Sequence, residues 1–313
     1  MHIPFQSENW QGRIDAEGGH RSLRWHQAIE PANGQVIQIL GFACDEGVRR
    51  NQGRIGAKDG SIALRKELAN LPKKVAESIG DLGDVVCQGE DLEGAQDLFT
   101  RLAKEQLSEK RLMIGLGGGH EIAYASASAV IQAFPNAKIG VLNIDAHFDL
   151  RNESRATSGT PFFQALQDAP NLSYRVLGIS EAANTQALFD TADRTNTHYT
   201  FDSELTLFHM PTALSALKDW LDSLDHLYLS LDMDVFSAPY APGVSAPAAY
   251  GLSPEIVEQL IRVAGQSGKL RLADVAELNP QYDIDNRTAK LAARMIFKLV
   301  DAWENGKLPS DVI

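Results

Sequence analysis

Short apolar runs rich in β-branched residues alternate along this chain with longer stretches whose apolar positions recur at helical spacing, the pattern of alternating strands and helices. Buried strands are expected at "VIQILGFAC" (36–44), "DLGDVVC" (81–87), "RLMIGL" (111–116), 138–145, "YRVLGIS" (174–180), "THYTF" (197–201), "HLYLSLDMDV" (226–235) and "LRLADVAEL" (270–278). Between them, helices are expected at "SIALRKELANL" (61–71, with Ser61 as N-cap), 92–110, 122–134, 161–167, 184–192, 211–224, 253–266 and 287–306. Strict alternation of this kind builds a mostly parallel sheet of about eight strands covered by helices on both faces, a three-layer α/β/α fold. The first 35 residues lack either period and read as an N-terminal arm, and "DEGVRRNQGRIGAKDG" (45–60) reads as a Gly/Arg-rich loop. No long linker or repeat interrupts the rest, which predicts a single domain over 1–313.

Composition narrows the function. With 44% hydrophobic and 22% charged residues the chain is ordinary for a globular protein, and its formal charge of −12 argues against a nucleic-acid backbone as partner. The N-terminus carries no apolar signal segment and no run is long enough for a membrane helix, so a cytoplasmic protein is expected. The two cysteines, Cys44 and Cys87, read as buried free thiols rather than a disulfide.

Chemistry concentrates at the carboxyl ends of the expected strands. "GLGGGHE" ends in His120, "NIDAHFD" supplies Asp145, His147 and Asp149, "LSLDMDVF" supplies Asp232 and Asp234, and "LADVAEL" supplies Glu277. In an open parallel sheet, ligands bind beyond the carboxyl ends of the strands, so these residues should meet in one crevice. Alternate positions on a strand share a face, which would bring Asp145, His147 and Asp149 together if the strand continued through them. Polar residues at strand ends also form caps and turns, and any one of these segments alone would carry little weight. Together they place five carboxylates in one crevice, which like-charge repulsion and desolvation oppose unless cations neutralise them. Four aspartates and two histidines suit a hard or borderline divalent ion such as Mn2+, and six ligands exceed one tetrahedral site, so two ions sharing bridging carboxylates are expected. The glycine run lacks the G-x-G-x-x-G and P-loop patterns, and its expected task is a tight turn that aims His120 at the crevice.

"GGGHE", "NIDAHFD", "SLDMDVFSAPYAPGVSAP" and "ADVAELNP" resemble the signature segments of the ureohydrolase superfamily, which includes arginase, agmatinase and formimidoylglutamase. The resemblance runs from about residue 36 to 300. It implies a binuclear Mn2+ centre in a homo-oligomer acting on a small molecule. The metal-ligand role would fall on His120, Asp145, His147, Asp149, Asp232 and Asp234, and a substrate-cation contact on Glu277. The implied reaction is hydrolysis of a C–N bond in an amidine-like group by a hydroxide bridging two Mn ions. Asp149 would be the catalytic proton carrier, and Glu277 would orient the substrate.

Arginases and agmatinases usually carry a shuttle histidine in the loop after the D-x-H-x-D segment, where "SGTPFF" places Phe162. "GVRRNQGRIGAKDGSIALRKEL", "DAHFDLR" and "APGVSAP" most resemble the formimidoylglutamase branch, whose members cleave N-formimidoyl-L-glutamate to L-glutamate and formamide in histidine degradation. Such a substrate has two carboxylates, for which Arg151 and Asn184 are the candidate contacts, while Arg49, Arg50 and Arg54 could steer an anion. Arg151 is also readable as a solvated loop residue and Asn184 as a helix cap. The competing readings are a guanidino hydrolase acting on arginine, agmatine or a guanidino acid, and a noncatalytic metal-dependent oligomer.

Overall fold

A computed structural model describes residues 1–306; residues 307–313 of the expected domain lie outside the described residues. Its single sheet has ten strands: β1 (His2–Ile3), β2 (Ile29–Pro31), β3 (Ile37–Ala43), β4 (Ile79–Val86), β5 (Leu112–Leu116), β6 (Ile139–Ile144), β7 (Ser173–Ile179), β8 (His198–Phe201), β9 (His226–Asp232) and β10 (Leu270–Ala276). The order is β1-β4-β3-β5-β10-β9-β6-β7-β8, with β2 also on β4. Every pairing is parallel except β1 with β4. The eight strands expected from apolar runs are all present, and the two additional ones come from the first 35 residues.

Helices cover both faces because the central strands send apolar residues to both. Leu227, Leu229 and Leu231 of β9 join one core, while Tyr228 joins the other. The first core is closed by α2 (Gly60–Ala69), α7 (Met210–Asp222), α8 (Pro254–Gln266) and α9 (Arg287–Asn305). The second is closed by α3 (Leu92–Gln106), α4 (Ile122–Ala133), α5 (Pro161–Asp168) and α6 (Gln186–Arg194). This is the expected α/β/α sandwich.

Four local expectations are corrected. The arm over residues 1–35 is not extended from the fold: besides β1 and β2 it buries Trp10 and Trp25 in the first core. Strands of two and three residues are too short to show a period, so the sequence pattern could not reveal them. The loop over 45–60 contains α1 (Glu46–Arg50), in which Arg49 and Arg50 both pair with Glu46 at helical spacing. Ser61 lies inside α2, fully buried, rather than capping it. Cys44 is a buried free thiol as expected, whereas Cys87 is half-buried. Among the described residues, no helix is long and apolar enough to cross a membrane.

Candidate metal centre

The strands that deliver the candidate ligands, β5, β10, β9 and β6, are consecutive neighbours in the sheet. The glycine run after β5 exists because the backbone there is squeezed between β3 and β10. A Cβ on Gly118 would lie 1.8 Å from the Cys44 carbonyl oxygen, and one on Gly117 would lie 2.4 Å from that of Val275. Close backbone approach, rather than a left-handed turn or a phosphate cradle, requires these glycines, and it sets His120 over the end of β10. The His120 N–H donates to Glu277 Oε1 at 2.8 Å, locking the two segments together.

Convergence after β6 and β9 comes from turns, not from continued strand. β6 stops at Ile144, and Asp149 has φ 49°, so the face-sharing expected of an extended strand through Asp149 does not apply. Instead Asp145 Oδ1 accepts from the His147 N–H at 2.7 Å, and Asp232 Oδ1 accepts from the Asp234 N–H at 2.8 Å. Both are side-chain turns closed two residues on. Two non-glycine residues of the site, Asp149 and Glu277 (φ 66°), hold left-handed backbone, a strain that such sites commonly store.

Two groups of ligand atoms result, with Asp145 in both: His120, Asp145 and Asp232, and Asp145, His147 and Asp234. His120 Nδ1 lies 3.2, 2.9 and 3.0 Å from oxygens of Asp145, Asp149 and Asp232. His147 Nδ1 lies 3.5 Å from Asp145 and 3.2 Å from Asp234. His120 Nε2 is 2.9 Å from Ser230 Oγ, which itself donates to Asp274 Oδ1 at 2.6 Å. The serine has one proton and gives it to Asp274, so His120 must carry its own proton on Nε2. Its Nδ1 lone pair is left aimed into the centre, the arrangement of a metal ligand fixed from behind.

The charge balance tells the same story. Burial and the neighbouring Asp234 and Asp145 push Asp232 well above the usual carboxylate range; burial and Asp145 raise Asp149, and burial raises Asp234. Burial alone would lower the two histidines, but the aspartates outweigh it and raise both well above their ordinary value. Burial, Glu121 and Asp234 push Glu277 up to about 8. Left to itself, the cluster gathers protons to offset its own repulsion, except on Asp145, which, despite its burial, the two histidines hold below the usual carboxylate range. Meanwhile, among the described residues, buried Asp234 Oδ1 and Glu277 Oε2 have no hydrogen-bond partner. An oxygen-rich set with two imidazoles and orphaned donor atoms fits two divalent cations.

Above the cluster opens a cavity of about 290 Å3 lined by His120, His147, Asp149, Asp232, Asp234 and Glu277 together with Arg151 and Asn184. Of the expected metal ligands only Asp145, fully buried between the two groups, does not line it, and not every expected substrate contact takes the expected role. The Arg151 side chain lies against Gly159 and, among the described residues, its guanidinium makes no hydrogen bond or ion pair. Asn184, by contrast, is fully used: Oδ1 accepts from the Phe148 N–H at 3.1 Å, and Nδ2 donates to the carbonyls of Ala146 and Ser180 at 2.9 and 2.8 Å. It shapes the ligand-bearing loop and has no donor left for a substrate carboxylate. Arg49, Arg50 and Arg54 do not line the cavity; they pair with Glu46, Glu90 and Glu93 or hold the carbonyls of Val244, Ser245 and Ala156. They brace loops instead of steering an anion.

Residues 35–301 match the sequence model of the arginase family. The chain belongs to the arginase family. Formimidoylglutamases from Ralstonia nicotianae and Chromobacterium violaceum are 45% and 46% identical to it, over 96% and 93% of this chain and 97% and 96% of theirs. Among solved structures, a Trypanosoma cruzi formiminoglutamase with Mn2+2 is 27% identical with a TM-score of 0.77, covering 88% of this chain and 94% of that one. A Bacillus subtilis formimidoylglutamase, 22% identical, shares the fold with a TM-score of 0.83 over 95% and 97% of the two chains.

This arginase-family site also uses residues that the ligand motifs alone do not announce. Asn143 donates to Asp145 Oδ2 at 2.9 Å, and Ser230 backs His120; each stands two positions before a strand-end aspartate and therefore on the same face. That spacing was available in "NID" and "SLD". Phe162 does not reach the cavity: it is buried, edge-on to the His120 ring at 5.4 Å and stacked on Tyr174 at 4.5 Å. At that place it holds the His120 ring and leaves no titrating group.

Proposed function

We propose that the protein hydrolyses the C–N bond of N-formimidoyl-L-glutamate, releasing formamide and L-glutamate, with two Mn2+ ions held by His120, Asp145, His147, Asp149, Asp232 and Asp234. The observation that carries this reading is one cavity containing the paired carboxylate–imidazole groups, the unpartnered Glu277 Oε2 and the unpaired Arg151 guanidinium. Near full-length relatives named formimidoylglutamase support the choice of substrate. Bound divalent ions supply Lewis-acid polarisation and an acidified water.

The chain's own residues do the rest. Glu277 offers its free oxygen to the amidinium nitrogen, fixing the planar carbon over the cluster. Asp149, whose side chain is 14% exposed and faces the cavity, takes the proton of the attacking water and returns it to the glutamate nitrogen as the C–N bond breaks. Arg151 binds a carboxylate of the glutamate portion, a contact that a cationic guanidino substrate tail would turn into repulsion. The same reading makes the protein a single-domain cytoplasmic homo-oligomer.

Metal-stripped protein assayed with and without Mn2+ against N-formimidoyl-L-glutamate, arginine, agmatine and 4-guanidinobutyrate tests the proposal. Mn2+-dependent glutamate release, with little turnover of the other three, is the expected result. Ornithine, putrescine or 4-aminobutyrate release would retain the metal chemistry and overturn the substrate. No metal-dependent amine release from any of the four would overturn the enzyme.

A further inference from the structure

At the opposite end of the sheet from the metal centre, a second cavity opens beneath the first residues of β9 and β10, lined by Phe134, Asp225, His226, Lys269 and Arg271, with Glu109 at its rim. We propose that it is a binding site for a small oxyanion, a phosphate or carboxylate, gripped by Arg271, His226 and Lys269.

Arg271 carries the argument. The pairing of β10 with β9 slips between Leu270 and Leu272, so Arg271 is the extra residue of a bulge. Bulges re-aim a side chain out of the regular alternation, and this one turns an arginine into the floor of the cavity. The residue is only 7% exposed, yet no carboxylate lies within 4.0 Å of its guanidinium among the described residues. Its Nη1 donates to the carbonyls of Gly268 and Leu270, and Nε has no partner among the described residues. Arg65 of α2, also buried, makes four hydrogen bonds, three of them to carboxylate oxygens. A buried guanidinium without a carboxylate is unfavourable, and burial holds this one below its usual value.

His226 adds a second unmet group. It is 7% exposed, its ring packs on Phe134 at 4.0 Å, and neither ring nitrogen has a hydrogen-bond partner among the described residues. Half-buried Lys269 completes the basic side of the cavity. Of the two acids nearby, Asp225 already accepts from the Lys138 N–H at 2.7 Å, and exposed Glu109 stays beyond pairing distance of Arg271. One planar or tetrahedral oxyanion would answer the free guanidinium edge and the imidazole together, which neither acid does. The site is independent of the proposed hydrolysis: strand lengths of seven residues put it about 20 Å from the metal ligands at the far ends of β9 and β10.

Calorimetric titration of the manganese-loaded, full-length protein with inorganic phosphate, and separately with L-glutamate, tests the site at constant ionic strength. Phosphate should bind saturably, with affinity about ten-fold weaker in Arg271→Gln and about three-fold weaker in Lys269→Gln. If Arg271→Gln does not fold, Lys269→Gln decides the matter. Glutamate binding that falls in parallel would identify an organic carboxylate as an occupant, and phosphate binding alone an inorganic one. Absence of saturable binding of both up to about 10 mM overturns the proposal. So does binding that both variants leave unchanged, because it would belong to the metal centre.

Discussion

Two clusters of buried charge lie in this sheet, and they are built on opposite principles. Behind β3 and β4, Arg65 donates to Asp81 at 2.8 and 2.9 Å, to Asp84 at 2.8 Å and to the Gly83 carbonyl at 2.8 Å, while the Trp10 indole donates to Asp81 at 2.7 Å. Each polar group has its partner within the chain, and the cluster needs nothing from outside. Around His120, four aspartates face two imidazoles, buried donor atoms remain orphaned, and burial with mutual repulsion drives Asp232 and Asp149 upward. A satisfied cluster fixes the fold. An unsatisfied one that persists in a well-packed core marks the place where an external ion completes the structure.

The sharpest way to break this contrast is to remove one charge from each cluster and measure activity and metal-free stability separately. Asp232→Asn should bring the proposed hydrolysis down by about 10^3-fold or more, the equivalent of about 4 kcal/mol of lost metal-derived stabilisation. Its manganese content by elemental analysis should fall below that of the parent. Metal-free Asp232→Asn should nevertheless melt no lower than the metal-free parent, because the change removes a repelled carboxylate. A lower melting temperature in the metal-free variant would mean that the aspartates are structural after all.

Arg65→Met is the counterpart. It strands Asp81 and Asp84 in the core, and breaking a buried pair in this way costs about 3–5 kcal/mol. Urea unfolding should show that loss with and without manganese, while turnover per folded molecule stays at the parent value. Loss of turnover without loss of stability would place the Arg65 cluster in the machinery of the site.

Smaller again is Ser230→Ala, which leaves all six proposed ligands and removes only the group that fixes the His120 proton on Nε2. Manganese affinity should weaken about 10–100-fold, as for other residues that orient a metal-bound histidine. Unchanged affinity would show that packing against Phe162 alone holds the ring.

How much of this was readable beforehand follows the same division. The eight longer strands, the helices between them and the ligand-bearing strand ends all rest on patterns local in sequence, and the apolar runs at 226–232 and 139–144 show it best. The N-terminal segment did not show itself, because β1 and β2 are ordered by pairing with β4 and by the link from Trp10 to Asp81, contacts 71 residues apart in the latter case. Asp149 reached the site by a left-handed turn and not by the strand face. Asn184 and the arginines of 49–54 look like ligand-binding groups in sequence, and only their partners across the fold reveal them as braces. A residue type states what a side chain can bond; the fold decides whether the chain itself has already provided the partner.

The smallest effect tests that last point on one hydrogen bond. Trp10→Phe keeps an aromatic ring in the core and removes only the indole N–H that reaches Asp81 Oδ2. The same oxygen still receives the Arg65 Nε–H at 2.8 Å, so the carboxylate is not left bare. The expected cost is about 1.5 kcal/mol, the low end for a hydrogen bond to a charged group, read from the shift of the urea midpoint at unchanged slope. If the N-terminal segment depended on this link to dock at all, the slope would change too, because a looser segment alters the surface exposed on unfolding. An unchanged slope with a modest midpoint shift would show that Trp10 packing and the β1–β4 pairing hold the segment, and that the indole completes a cluster already balanced by Arg65.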